Sequence, residues 1–359
     1  MSTVSGAAQG WVSEDEEAIA EIMRRGGATL RERMARTEAH LERVAAEAGA
    51  PLAAHATATV LAGGKRLRPL LVLLAAAAAE NESPPTPPIP PAGTEEIDLI
   101  RAAVAVELVH SATLVHDDVI DGAQLRRGVP SVVAAAGRRT AIATGDLLFS
   151  RAFAELARNG EVSQLRALSD ASSALAAGEL LQREDAYDAD VSVERYLRRC
   201  ELKTAALFEA ACRLGALVAA GDGGDGAAAE ELADALGEFA RRIGLAFQLL
   251  DDVLDVSGPV ERTGKPRGTD LLDGTVTLPL ILAREREESL VGIDLASLAG
   301  ADEAAELCDR IAATGALEDA RERALGLVAD AKATLPPILP NGRAALLDLV
   351  ADAVVERYR

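Results

Sequence analysis

Two stretches, VHDDVID at residues 115–121 and LLDDVLD at residues 249–255, repeat one pattern, DDxxD, at the C-terminal end of a strongly apolar run. The run before the first, residues 95–120, reads as one long helix that is apolar nearly all round, and such a helix belongs in the centre of a bundle. Positions i and i+4 lie on one helix face, so Asp117 stacks with Asp121 and Asp251 with Asp255. The second carboxylate of each cluster, Asp118 or Asp252, points about 100° away. Like charges at this spacing destabilise an isolated helix, and burial of an unpaired carboxylate is costly. One such cluster could be a solvated acidic helix end. Two nearly identical ones on apolar helices call for hard cations. Mg²⁺ takes one or two carboxylates and completes its shell with water and phosphate oxygens. The pair of clusters therefore points to a diphosphate bridged by Mg²⁺ between two facing helices. An EF-hand loop, with its central glycine and terminal glutamate, is not present.

Helical patterning extends outward from both clusters. Residues 15–62 read as helix with breaks near Gly26–Gly27 and at 49–51, and further segments are expected over 138–159, 163–183, 192–220, 227–256, 276–289, 302–314, 317–333 and 341–358. Residues 1–15 read as a loose tail, and residues 83–94 as a proline-rich loop inside a single domain spanning 16–359. No signal peptide is expected, and no apolar run approaches the roughly 20 residues of a bilayer span.

Composition agrees with an all-α chain. Of 359 residues 49% are apolar but only 3% aromatic, so Ala, Leu and Val carry the core and β architectures are disfavoured. A net charge of −20 repels nucleic acid and anionic membrane, so an anionic substrate needs a local basic cluster or metal ions. Cys200, Cys212 and Cys308 show no metal or disulfide spacing and suit a reducing cytoplasm as small apolar residues.

Against that acidic background, Lys65, Arg66 and Arg68 lie on a Gly63–Gly64 turn, Arg126 and Arg127 follow the first cluster, and Lys203 and Lys265 stand apart. Arginine offers phosphate a bidentate fork and lysine a mobile charge. Arg66 reads as a surface solubiliser. The others suggest a second, metal-free anion site beside the metal-bound one, as a reaction of two diphosphate substrates requires.

In GGKRLRP (63–69), ELVHSATLVHDDVIDGAQLRRG (107–128), GDLLFSRAF (145–153), GELLQ (178–182), KTAALFEA (203–210), GLAFQLLDDVLDV (244–256), GKPRGTD (264–270) and DGTVTLPLIL (273–282), taken in this order, the chain resembles the trans-type isoprenyl (polyprenyl) diphosphate synthases. The resemblance runs from about residue 62 to 283 and is nearest to bacterial medium- and long-chain members. It implies an isoprenoid-synthase-type helical bundle around a deep central cavity, a cytoplasmic homodimer, and Mg²⁺ as cofactor, on the order of three ions per site. It also implies head-to-tail condensation of isopentenyl diphosphate with an allylic prenyl diphosphate. By motif match, Asp117, Asp118, Asp121, Asp251, Asp252 and Asp255 bind Mg²⁺ directly or through water, with Asp118 and Asp252 the less direct ligands. Arg126, Lys203 and Lys265 grip the allylic diphosphate. Lys65, Arg68, His110 and Arg127 grip isopentenyl diphosphate, and Thr204 and Gln248 line the cation site. His116 reads as structural. Many members carry a lysine where this chain has Thr275, which leaves one positive charge fewer beside the diphosphate.

In the family, the residues four and five positions before the first aspartate floor the tunnel for the growing chain. Here they are the small Thr113 and Ala112, about one helical turn below Asp117, so a product of roughly 30 to 50 carbons is expected, as for a quinone side chain. Phe149 and Phe153 are candidates for the next floor. Rival readings are a short-chain farnesyl or geranylgeranyl diphosphate synthase, a class I terpene cyclase and a non-catalytic subunit of a heteromeric synthase. The basic turn and Arg126–Arg127 argue against the cyclase, and two intact clusters argue against the inert subunit.

Overall fold

The computed structural model describes residues 14–47, 49–80, 94–221, 226–258, 266–339 and 344–356. Residues 1–13 of the expected tail, 83–93 of the proline-rich stretch and Lys265 lie outside the described residues. Glu14 and Asp15 already belong to the first helix.

The central helix forms where the apolar pattern placed it. It is α5, Thr94–Asp121, and its residues from Ala102 to Val109 are buried all round. Before it come α1 (Glu14–Arg25), α2 (Gly27–Ala46), α3 (Ala53–Leu61) and α4 (Leu67–Ala79). After it come α6 (Val132–Ala136), α7 (Arg138–Ala157), α8 (Val162–Glu184), α9 (Val193–Cys200), α10 (Ala206–Ala220) and α11 (Gly226–Ser257). The chain ends with α12 (Thr269–Leu272), α13 (Leu278–Arg286), α14 (Ala301–Ala313), α15 (Ala316–Ile338) and α16 (Ala345–Glu356). Helix α5 packs between α4, α7 and α10, while α10 also packs on α8 and α11, and α11 on α15. The result is the all-α bundle expected. No helix among the described residues is long and apolar enough to cross a membrane.

Three local departures shape the site. First, the segment read as one helix over 192–220 is broken by a π-helical turn at Glu201–Ala205 between α9 and α10. Such turns insert an extra residue into a helix and redirect its side chains, often at functional sites. Second, residues just past the first cluster form a hairpin, β1 (Leu125–Arg126) and β2 (Val129–Pro130), with Arg126 opposite Val129. Its two turn residues, Arg127 and Gly128, have φ of 52° and 78°, the paired left-handed geometry of a tight hairpin turn. Third, α15 continues through Pro336 and Pro337 instead of ending before them. Leu335 and Leu339, on either side of the two prolines, are buried, and Lys332 pairs with Asp352 at 2.7 Å.

Candidate active site

The two acidic clusters stand at the ends of α5 and α11, and a cavity of about 360 Å³ opens beside them. Asp117, Asp121, Arg126, Lys203, Thr204, Gln248 and Asp252 line it, so seven of the residues singled out in the sequence share one space. Asp251 and Asp255 are not among its lining residues. Asp255 instead anchors the following segment: its carboxylate accepts from the Asp270 amide at 3.3 Å, and its carbonyl accepts from the Gly268 amide at 3.0 Å. That segment adds Asp270, Asp273 and Thr275 to the cavity wall.

The second aspartate of each cluster is held by protein partners. Asp118 is buried and accepts from the Arg126 guanidinium, through Nε at 2.8 Å and through Nη2. Asp252 is buried and accepts from the Tyr196 hydroxyl at 2.6 Å and the Gln248 amide at 2.8 Å. The outward pair on α5 is differently placed. Burial pushes the Asp117 carboxyl up to about 6; Lys203 opposes this shift, and Glu179 and Asp121 reinforce it. Asp121 accepts from Arg183, which also donates to Glu179 at 2.9 Å.

Hard oxygen donors crowded beside cations suit Mg²⁺. Among the described residues no three carboxylate, imidazole or thiol side chains converge into a ready-made cage. Mg²⁺ takes much of its shell from water and substrate oxygens. Asp117 and Asp121, stacked on one face and open to the cavity, are the carboxylates that would hold it.

Lys203 and Thr204 reach the cavity because they lie on the π-helical turn. Lys203 pairs with Glu179, and the Thr204 hydroxyl donates to Gln248 Oε1 at 2.7 Å. Below them a second, largely apolar cavity of about 450 Å³ shares Asp117, Ile120, Lys203 and Thr204 with the first. Thr113, Leu114, His116, Phe149, Leu175 and Leu180 are among the residues that line it.

The floor expectation needs correction at one position. Thr113 faces this cavity, but Ala112 is fully buried and is not part of its lining, because the two side chains leave α5 about 100° apart. Phe149 lines the cavity and stacks on His116 at 5.8 Å between ring centroids, whereas Phe153 packs against the core. His116 is therefore a cavity residue as well as a structural one.

The basic turn and the hairpin converge at the wall of this second cavity, where Arg68 and His110 are among the lining residues. Gly64 has a φ of 136°, and a Cβ there would sit 2.8 Å from the Arg127 guanidinium, so glycine permits this approach. Arg126 and Arg127, adjacent on the hairpin, serve different neighbours: Arg126 faces Asp118 and the polar cavity, and Arg127 faces Gly64. Arg68 lies over the Phe208 ring at 4.9 Å, and its buried Nε has no hydrogen-bond partner. Burial, with Arg127 nearby, lowers its guanidinium to about 10, which leaves it charged at neutral pH. His110 is held well below the usual imidazole range, first by burial and then by Arg68, Arg127, Arg66 and Arg126, so its ring is neutral. Lys65 sits on the same turn.

Arg66 is not a surface solubiliser. Its side chain is only 9% exposed, and it donates to Glu38 at 2.7 Å, to buried Glu107 at 2.7 Å and to the Val60 carbonyl at 2.6 Å. It pins the turn to α5 from a left-handed φ of 49°. Sequence reasoning also passed over Glu107, Glu179, Arg183 and Tyr196. Glu107 and Glu179 were legible in principle, as lone acids within apolar or motif-bearing helices.

Residues 50–309 match the polyprenyl synthetase family. The chain is 38% identical over 298 residues to heptaprenyl diphosphate synthase component 2 of Geobacillus stearothermophilus, across 81% of this chain and 87% of that one. It is 36% identical to geranylgeranyl diphosphate synthase of Methanosarcina mazei, across 82% and 86%. Its fold is similar to the crystal structure of polyprenyl synthase from Caulobacter crescentus complexed with calcium and isoprenyl diphosphate. The TM-score there is 0.80 and the identity 32%, covering 95% of this chain and 98% of that one.

Proposed function

The chain belongs to the polyprenyl synthetase family, whose members are Mg²⁺-dependent prenyltransferases, and we propose that it extends an allylic prenyl diphosphate with isopentenyl diphosphate to an all-trans medium- or long-chain product. The observation that carries this reading is the junction of the two cavities at Asp117, Lys203 and Thr204. A charged headgroup fits the polar space and a hydrocarbon tail the apolar one.

In this reading, Lys203, Arg126 and Arg183 orient the allylic diphosphate. Lys265 completes the set by motif. Mg²⁺, on the order of three ions, would supply charge neutralisation for the departing diphosphate, with Asp117 and Asp121 among the residues that would hold it. The allylic C–O bond breaks toward Thr204 and Gln248, whose oxygens face the carbon left positive. Apolar walls keep water from capturing it. Isopentenyl diphosphate lies against Lys65, Arg68, His110 and Arg127, which aims its double bond at the cation. The new C–C bond forms, and a proton leaves for the released diphosphate. Neutral His110 donates a hydrogen bond without adding charge.

Two features of the apolar lining support the longer product. Thr113 is small, and Phe149, the bulky group of the lining, comes from α7 rather than from the turn below Asp117. We assign the active form as a homodimer acting in the cytoplasm. The test is incorporation of labelled isopentenyl diphosphate with an allylic primer. Incorporation that requires Mg²⁺ and both substrates supports the reading. Diphosphate release from the allylic substrate alone, giving cyclic hydrocarbon, contradicts it.

A further inference from the structure

A chain of hydrogen bonds runs from the core to the wall of the cavity. The Tyr196 hydroxyl donates to Asp252 Oδ2 at 2.6 Å, Gln248 Nε2 donates to Asp252 Oδ1 at 2.8 Å, and Thr204 Oγ1 donates to Gln248 Oε1 at 2.7 Å. Tyr196 is fully buried on α9 and is not among the residues lining the cavity, whereas Asp252, Gln248 and Thr204 are. Four residues on three consecutive or facing segments are thus joined, with every donation running toward Asp252.

Donor and acceptor counting fixes that direction. One oxygen of Asp252 accepts from Tyr196 and the other from Gln248, so Asp252 receives the NH₂ end of the Gln248 amide. Gln248 then presents its carbonyl oxygen to Thr204 and the cavity. The single hydroxyl proton of Thr204 is committed to that oxygen, which leaves only lone pairs on Thr204 Oγ1. Both polar atoms at the cavity wall are therefore negative ends of dipoles. Reversal of the Gln248 amide would aim two N–H donors at the same space, and a fixed dipole of the wrong sign opposes a developing cation.

We infer that Tyr196 is a positioning residue that acts through Asp252 to hold the Gln248 amide with its oxygen toward the allylic cation. Asp252 then serves chiefly to orient Gln248, each of its two oxygens accepting one hydrogen bond, from Tyr196 and from Gln248. The inference rests on the cation-site reading above. Tyr196→Phe keeps the buried ring and removes only the hydroxyl, so the fold is retained.

The test compares two analogues of the allylic substrate by calorimetry in the presence of Mg²⁺: one with an ammonium nitrogen in place of the cationic carbon, and a neutral, unreactive thiolodiphosphate. Wild-type protein is expected to prefer the ammonium analogue. Tyr196→Phe is expected to lose about tenfold of that preference, as for loss of one hydrogen bond to a charged group, and to bind the neutral analogue unchanged. Turnover is expected to fall by a similar factor with KM for both substrates nearly constant. In a Gln248→Leu background the tyrosine substitution is expected to have no further effect, since residues that act through one another do not add. If the wild type shows no preference for the ammonium analogue, the cation-site reading fails. If it does and Tyr196→Phe keeps the preference, or if the two substitutions add fully, the positioning role alone is overturned.

Discussion

Gly178 of α8 lies directly against the backbone of Lys203: a Cβ on Gly178 would stand 2.5 Å from the Lys203 amide nitrogen and 2.9 Å from its Cα. The contact joins the GELLQ and KTAALFEA stretches and sets the height at which the π-helical turn meets the cavity. Gly178→Ala must push that turn aside, because the obstructing atoms are backbone. Turnover is expected to fall about 100-fold, the effect of displacing a reacting group by roughly 1 Å. Stability should fall by about 1–3 kcal/mol, as overpacking costs. Steady-state kinetics with a thermal melt checks both.

Asp117 carries a pH signature. Its carboxyl is raised to about 6 from 3.8, with burial the leading cause. A carboxyl whose folded pKa exceeds its unfolded value is penalised once ionised. Its cost is absent below about 3.8, grows between there and about 6, and is full above. Without divalent ions, Asp117→Asn is therefore expected to melt higher than wild type at pH 7.5, with the gap shrinking toward pH 5. Activity should meanwhile fall by orders of magnitude at every pH. A melting gap that is constant with pH would contradict the burial assigned to this carboxylate.

Thr113 and Ala112 separate two effects that neighbouring positions on one helix would otherwise blur. Thr113→Phe fills the apolar cavity and is expected to shorten the product without a large loss of stability. Ala112→Phe enters a fully packed site and is expected to destabilise by about 1–3 kcal/mol. Phe149→Ala removes the bulky cavity ring and should lengthen the product. Chromatography of dephosphorylated products and thermal melts of the three variants read the difference.

Glu107 and Arg66 form a buried pair under the basic turn. Arg66 keeps Glu38 and the Val60 carbonyl when Glu107 is neutralised, so the cost is that of one charged hydrogen bond, about 1.5–3 kcal/mol. Glu107→Gln is expected to lower the melting temperature and to raise KM for isopentenyl diphosphate well above any change in KM for the allylic substrate. Equal rises in both would indicate general loosening instead.

The central helix and the place of Asp117 and Asp121 at its end were legible because an apolar helix closed by a repeated acidic motif leaves few alternatives, whereas Asp251 and Asp255 of the second cluster do not line the cavity. The two ends of the basic set were legible as residue types but not as geometry. Arg66 and Arg68 are two apart on one turn, yet the left-handed backbone at Arg66 sends it down to Glu107, while Arg68 lies over Phe208. The π-helical turn had no local signal, since 192–220 keeps a helical pattern throughout. Ala112 misled because a helical turn fixes height but the neighbouring residue sets direction. Tyr196 lies in an ordinary amphipathic helix, and its bond to Asp252, 56 positions away, exists only in the folded chain.

The most direct measurement sizes the products made from labelled isopentenyl diphosphate and farnesyl diphosphate with Mg²⁺. The account predicts a ladder that ends at roughly 30 carbons or longer, given a cavity open for about a turn below Asp117. Products that stop at about 20 carbons would contradict the open floor at Thr113, and absence of any isopentenyl incorporation by folded protein would contradict the proposed reaction itself.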